Sequence, residues 1–151
     1  MGVFRFKRFV VANERSAMKV NTDGVLLGVA MTIKPSDRHL LDVGTGTGTI
    51  ALIAAQRLSE MVAFPKESSD DNICRQHSLD IRAIDIDEAS ASEAAENFRN
   101  SPWDAMLSAL NITLDDYSST LAPTKRFDHI FSNPPYFEVS LQAPEQRRND
   151  S

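Results

Sequence analysis

Residues 40–52 read "LLDVGTGTGTIAL". An apolar run, Leu40–Val43, meets three glycines at alternate positions, Gly44, Gly46 and Gly48, and an apolar segment follows at once. Glycine accepts backbone angles that other residues avoid and lets a ligand approach the main chain closely. The pattern predicts a short buried strand ("HLLDVG", 39–44), a tight loop, and a helix over "GTIALIAAQRL" (48–58). A dinucleotide loop has the spacing G-x-G-x-x-G. Here the spacing is G-x-G-x-G, with Thr49 where the third glycine would fall. Asp42 stands two residues before the first glycine, and its charge would repel a pyrophosphate. It suits a ligand carrying an ammonium group or another cationic centre.

Working outward, the same strand-then-helix alternation recurs. "IRAIDID" (81–87) reads as a strand and "EASASEAAENFRN" (88–100) as a helix stopped by "SPW". "LSALNITL" (107–114) and "FDHIFS" (127–132) read as the third and fourth strands. Upstream, "FRFKRFVV" (4–11) alternates apolar and basic residues as a strand does, and "NTDGVLLGVAMTI" (21–33) opens with a capping signal and continues as a helix. Residues Ser59–Asp80 turn polar and read as a loop insertion. Such alternation predicts an α/β fold, a parallel sheet with helices on both faces, in which ligands sit beyond the carboxyl ends of the strands. The expected organisation is a single domain over 1–151, with an N-terminal hairpin and cofactor-closing segment at 1–36 and a Rossmann-like core at 37–151.

Of the 151 residues, 42% are hydrophobic and 25% charged, an ordinary composition for a soluble globular domain. No apolar run approaches the ~18 residues of a spanning helix, and "MGVFRFKRFV" lacks the apolar stretch of a secretory signal. The single cysteine, Cys74, can form neither an internal disulfide nor a thiolate metal site. A cytoplasmic location is expected, with no membrane partner and no metal. His39 and His77 have no partner at metal-ligand spacing, and His129 and Trp103 read as packing residues. The net charge is −5, yet residues 1–20 carry Arg5, Lys7, Arg8, Arg15 and Lys19 against Glu14 alone. That local excess is either a solvated hairpin or a basic face for a nucleic-acid backbone.

Asp85 closes the second core strand, where a carboxylate can accept both hydroxyls of a ribose. Asp87 and Glu88 begin the next helix, where acids complement its dipole. Thr113 and Leu114, at the end of the third strand, fall near an adenine, and Asp115 and Asp116 read as surface turn residues. S-adenosylmethionine has a ribose, an adenine and a cationic sulfonium but no phosphate, so the loop chemistry favours it over NAD. The stretch "FSNPPYF" (131–137) then acquires a purpose. Two prolines cannot continue a sheet ladder, but they stiffen a loop. The Asn133 side-chain oxygen and the Pro134 carbonyl can accept hydrogen bonds from both N–H groups of an exocyclic amine and aim its lone pair at a methyl group. Pro135 holds these acceptors rigid, and Tyr136 offers a ring on which a planar base can stack.

Together, "DVGTGTG", "AIDID" and "SNPPY" resemble the Rossmann-like, S-adenosylmethionine-dependent amino-methyltransferases. "RSAMKVNTDGVLLG" (15–28) and "ENFRNSPW" (96–103) narrow the resemblance to the bacterial tRNA1(Val) (adenine-N6)-methyltransferases, which modify the adenine 3′ of the anticodon. The resemblance implies a tRNA substrate. It also implies that Asp42, Gly44, Thr45, Gly46 and Gly48 line the methionine part of the cofactor, and Asp85 with Ile86 its ribose. Thr113 stands where the family commonly has an acid, with Leu114 beside it at the adenine. Lys19, Thr22 and Asp23 would form a loop closing over the cofactor, and Asn133, Pro134, Pro135 and Tyr136 the catalytic loop. NPPY is shared with DNA adenine methyltransferases and with release-factor glutamine methyltransferases, from which "MKVNTDG" and "SPW" set this chain apart.

Members of that family continue well beyond NPPY, whereas the tail here, "LQAPEQRRNDS" (141–151), is polar. The sequence therefore predicts missing C-terminal strands and a catalytic strand exposed along one edge. It also predicts self-association through that edge and weak turnover, with a fragment that binds cofactor without turnover, or a release-factor glutamine N5-methyltransferase, as the alternatives.

Overall fold

The computed structural model describes residues 2–63 and 79–134. Four parallel strands form the central sheet in the order β5-β4-β3-β6. They are β3 (His39–Val43), β4 (Asp80–Asp85), β5 (Leu107–Asn111) and β6 (His129–Ser132). Their registers bring the carboxyl ends level: Val43 pairs with Ile84 and with Ser132, and Asp85 with Asn111. The chain steps from β3 to β4 to β5 in one direction, then returns to place β6 on the far side of β3. The switch point therefore lies between β3 and β6, with the glycine loop on one side and Asn133 on the other.

Period-two alternation assigns strand residues to two layers. Leu40, Ile81, Ala83, Leu107 and Phe131 face the larger core, which α2 (Thr49–Ala63) fills with Ile50, Ala51, Leu52, Ala54, Ala55 and Leu58. Leu41 and Ile84 face the other side and meet Tyr117 of α4 (Leu114–Thr120). Helix α1 (Thr22–Ala30) packs on α2 at Gly28, where an added Cβ would lie 2.9 Å from Ile53 Cδ1. Helix α3 (Glu88–Arg99) contributes Ala94 and Phe98 to the larger core, and Asp87 caps its first turn.

Several boundaries differ from the sequence reading. Residues 4–11 are not one strand but an antiparallel hairpin, β1 (Val3–Arg5) with β2 (Val10–Ala12). The alternation is broken because Phe6 and Phe9 close the turn, Phe6 N–H donating to Phe9 O at 2.9 Å. Helix α2 continues through Ser59 to Ala63, so the insertion begins later than its polar composition implied; residues 64–78 lie outside the described residues. Strand β5 stops at Asn111, because the Thr113 side chain caps α4 by accepting from Asp116 N–H at 3.0 Å. Asp115 and Asp116 are then exposed acids in the first turn of a helix, where they complement its dipole. Trp103 is buried, with Phe9 edge-on to it at 5.6 Å. Among the described residues no helix is long and apolar enough to cross a membrane.

Candidate functional site

The loop after β3 is shaped by its glycines. Gly44, Gly46 and Gly48 have φ of 72°, 58° and 85°, the left-handed region that favours glycine. Gly44 and Thr45 N–H both donate to Ile84 O, at 2.8 and 3.0 Å, pinning the loop to β4. Gly46 N–H donates to Asp85 Oδ2 at 2.9 Å, and Asp87 N–H donates to Asp85 Oδ1 at 2.9 Å. Asp85 thus organises two loops at once, and its oxygens retain lone pairs for a ligand. Asn111 braces the second loop, its amide donating to the carbonyls of Asp85 and Ile86 at 3.0 Å.

A cavity of about 440 Å³ opens along this edge, within the ~300–1,000 Å³ range of small-molecule sites. It is lined by Gly44, Gly46 and Asp85, by the apolar Ile86, Ile112 and Leu114, and by Ser132 and Pro134, among others. Among the described residues its lining contains Asp85 and Asp87 but no lysine, arginine or histidine. Such a wall disfavours a pyrophosphate and accepts a ribose, an adenine face and a cationic centre, so these residues fit S-adenosylmethionine. A smaller opening beside it is lined by Lys19, Asn21, Gly24, Gly44, Thr45 and Asn133, among others. Met18 lines both.

Asn133 extends from the end of β6 into the smaller opening, and among the described residues its amide makes no hydrogen bond. Gly24 leaves it room: a Cβ there would lie 3.2 Å from Asn133 Nδ2. Ser132 Oγ donates to Val43 O at 2.8 Å and ties the ends of the two strands together.

The structure brings together Asp85, Ile86, Gly44, Gly46, Leu114 and Pro134 at the larger cavity, and Lys19, Thr45 and Asn133 at the smaller. Other expected residues sit elsewhere. Asp42 is fully buried beneath the loop and lines neither space; Thr45 Oγ1 donates to its Oδ2 at 2.8 Å, and Oδ1 has no partner. Burial raises its pKa to about 7, with the Thr45 hydrogen bond opposing and the Asp85 charge adding to the rise. Gly48 lines neither space either. An added Cβ would fall 2.6 Å from Phe98, so this glycine serves the close approach of α3. Thr113 is spent on capping α4, and Thr22 and Asp23 lie in the first turn of α1 and line neither cavity. Lys19 Nζ turns back to the carbonyls of Asn13 and Glu14, both at 2.8 Å. Pro135 and Tyr136 lie outside the described residues.

Sequence reasoning missed the strap that roofs the site. Glu93 of α3 is fully buried and accepts from the N–H groups of Glu14, Arg15 and Ser16 at 3.0, 2.9 and 3.1 Å, and from Ser16 Oγ at 2.9 Å. Burial pushes its carboxyl up, but these hydrogen bonds outweigh that and hold its pKa below the ordinary 4.5. Asn97 bonds both backbone groups of Ala12 and the carbonyl of Thr47, joining hairpin, α3 and glycine loop. Ser90 Oγ accepts from Ala17 N–H at 3.3 Å. The available signal was Ser90, Glu93 and Asn97 at three- and four-residue spacing, a polar stripe on one face of a helix.

The family described as "UPF0020: RMKL-like, methyltransferase domain" matches residues 28–148. Two similar relatives are each named tRNA1(Val) (adenine(37)-N6)-methyltransferase. The one from Bacteroides thetaiotaomicron is 42% identical over 97% of this chain and 52% of its own length. The one from Glaesserella parasuis is 38% identical over 99% of this chain and 54% of its own. The chain therefore spans about half the length of the curated relatives it matches. Among solved structures, the N-terminal domain of human METTL16 in complex with SAH aligns with a TM-score of 0.51 at 14% identity, over 93% of this chain and 55% of that one. The fold is the Rossmann-like fold of methyltransferases, and by the match over residues 28–148 the chain belongs to the RMKL-like methyltransferase domain family.

Proposed function

We propose that this chain carries the cofactor site and catalytic loop of an S-adenosylmethionine-dependent methyltransferase acting on the N6 amine of an adenine in tRNA. The observation that carries the reading is Asn133 at the switch point, beside a glycine-loop cavity; among the described residues its amide is free of hydrogen bonds and the cavity lining carries acids and no cations. The names of the relatives supply the tRNA and the position of the adenine.

The cofactor would contribute an electrophilic methyl group on a sulfonium. The protein does the rest by positioning. Asp85 accepts from the ribose hydroxyls, while Ile86, Ile112 and Leu114 exclude water from the adenine of the cofactor. Asn133 Oδ1 and the Pro134 carbonyl accept from the two N–H groups of the substrate amine. Their pull would concentrate the nitrogen lone pair toward the methyl and stabilise the positive charge that develops as the N–C bond forms and the methyl–sulfur bond breaks, its electrons remaining on the sulfur of the departing S-adenosylhomocysteine. One amine proton then leaves for solvent.

Calorimetric titration tests the cofactor half: S-adenosylhomocysteine should bind and NAD should not. Asn133→Ala should leave that binding within about threefold and remove methyl transfer to unmodified tRNA, because its role lies at the reacting nitrogen. Tighter binding of NAD would overturn the cofactor reading. Transfer to release factor rather than tRNA would move the substrate to a glutamine amide.

A further inference from the structure

We propose that the groove between the N-terminal hairpin and α1 seats one base of single-stranded RNA, next to the adenine that Asn133 receives. This subsite rests on the RNA-methylation reading above. The groove has a volume of about 290 Å³ and is lined by Phe4, Val20, Asn21, Thr22, Val25 and Leu26. Val20 and Asn21 also line the opening that holds Asn133, so the groove and the catalytic side of the site share a wall.

Phe4 and Leu26 remain 42% and 58% exposed. Phe4 is also braced from behind. Its ring centroid lies 4.8 Å from that of Phe6, Phe6 stacks on Phe9 at 4.5 Å, and Phe9 meets buried Trp103. An exposed ring fixed at the end of such a column loses little freedom when a base stacks on it. Among the described residues the lining carries no charge, which suits the face of a base. The charges stand close by in the chain. Arg5 and Lys7 are exposed and form no ion pair among the described residues, whereas Arg8 pairs with Glu60 at 3.1 Å and Arg15 with Glu93 and Glu96. Stacking ring, uncharged slot and unpaired cations are the parts of a single-strand binding surface, with phosphate contacts supplying affinity and the ring holding the base.

The test uses a short RNA with one unpaired adenine and 4-thiouridine as its neighbour, filter binding at several salt concentrations, and mass-spectrometric mapping of the photo-cross-link. The 151-residue chain is compared with Phe4→Leu, Phe4→Trp and Lys7→Ala, each checked by circular dichroism. Phe4→Leu should weaken binding roughly 5- to 150-fold, the range of one lost base stack, and Phe4→Trp should restore it. Lys7→Ala should reduce the salt slope by about one. The cross-link should map to Phe4. RNA binding that is equal in Phe4→Leu, or a cross-link mapping away from the groove, overturns the subsite while leaving the RNA reading intact. No RNA binding by a chain that still takes S-adenosylhomocysteine overturns both the subsite and the RNA half of the reading.

Discussion

Thr45 Oγ1 donates to one oxygen of Asp42, and among the described residues the other, buried oxygen meets no donor at hydrogen-bonding geometry. Its pKa of about 7 in the folded protein lies above the ordinary 3.8. Between those values the native state binds more protons than the unfolded chain, so the contribution of this group to stability falls as pH rises through that interval. Asp42→Asn keeps an acceptor for Thr45 and removes the charge. Urea denaturation should show the variant gaining on the wild type between about pH 4 and pH 7. The gain should reach up to a few kcal/mol, since each tenfold difference in proton affinity between the folded and unfolded states is worth ~1.4 kcal/mol. A difference that stays flat across that range would refute the assignment. The sequence marked Asp42 as special but not why. An acid before a glycine loop reads as a ligand contact, and only the fold reveals that its strand is central and that the loop folds over it. Gly48 follows the same logic, since its neighbour Phe98 lies far along the chain, on α3.

At the scale of elements, the strap from Asn13 to Ala17 has no regular structure and is fixed by α3 through Glu93 and Ser90, while Asn97 holds Ala12 just before it. Because the Glu93 pKa is depressed, its stabilising effect is present above the ordinary 4.5 and is lost as pH falls through the lower, folded value, the opposite sign to Asp42. Glu93→Gln places an amide N–H₂ against backbone donors and should cost ~1–3 kcal/mol. Hydrogen exchange should accelerate at the amides of Glu14, Arg15 and Ser16 before it does in β3 or β4. Uniform acceleration across the sheet would mean that Glu93 stabilises the fold as a whole and not the strap. The core elements were legible in the sequence because strand periodicity, glycine punctuation and the Asp87 cap are local signals. The strap was not, because its contacts join the N-terminal segment to a helix far along the chain and it carries no periodicity of its own. β5 was read too long for a related reason: the apolar run continues through Ile112 and Leu114, while the Thr113 cap that ends the strand is a single polar residue within it.

Over the whole molecule, β6 pairs with β3 and has no other strand beside it among the described residues, and Ile130 on it is 58% exposed. An uncovered edge with an apolar side chain invites pairing with another copy. Light scattering of this chain should show self-association, and Ile130→Lys should shift it toward monomer. A wild-type chain that stays monomeric at high concentration would count against the edge as the contact. That the glycine loop, Asp85 and Asn133 fall at strand ends along one edge of the sheet was legible in the sequence; the order of the strands was not. An N-terminal hairpin was expected, but its strands were not legible, since alternation alone cannot tell one long strand from two short ones around a turn. That hairpin rests on a column of rings ending at Trp103, the only tryptophan in the chain. The protein thus carries a built-in optical gauge. Trp103 is buried and touches Phe9 edge-on, so its emission wavelength reports whether the hairpin is seated on the core. Anything that lifts the hairpin from the body will redden that emission, with no label attached.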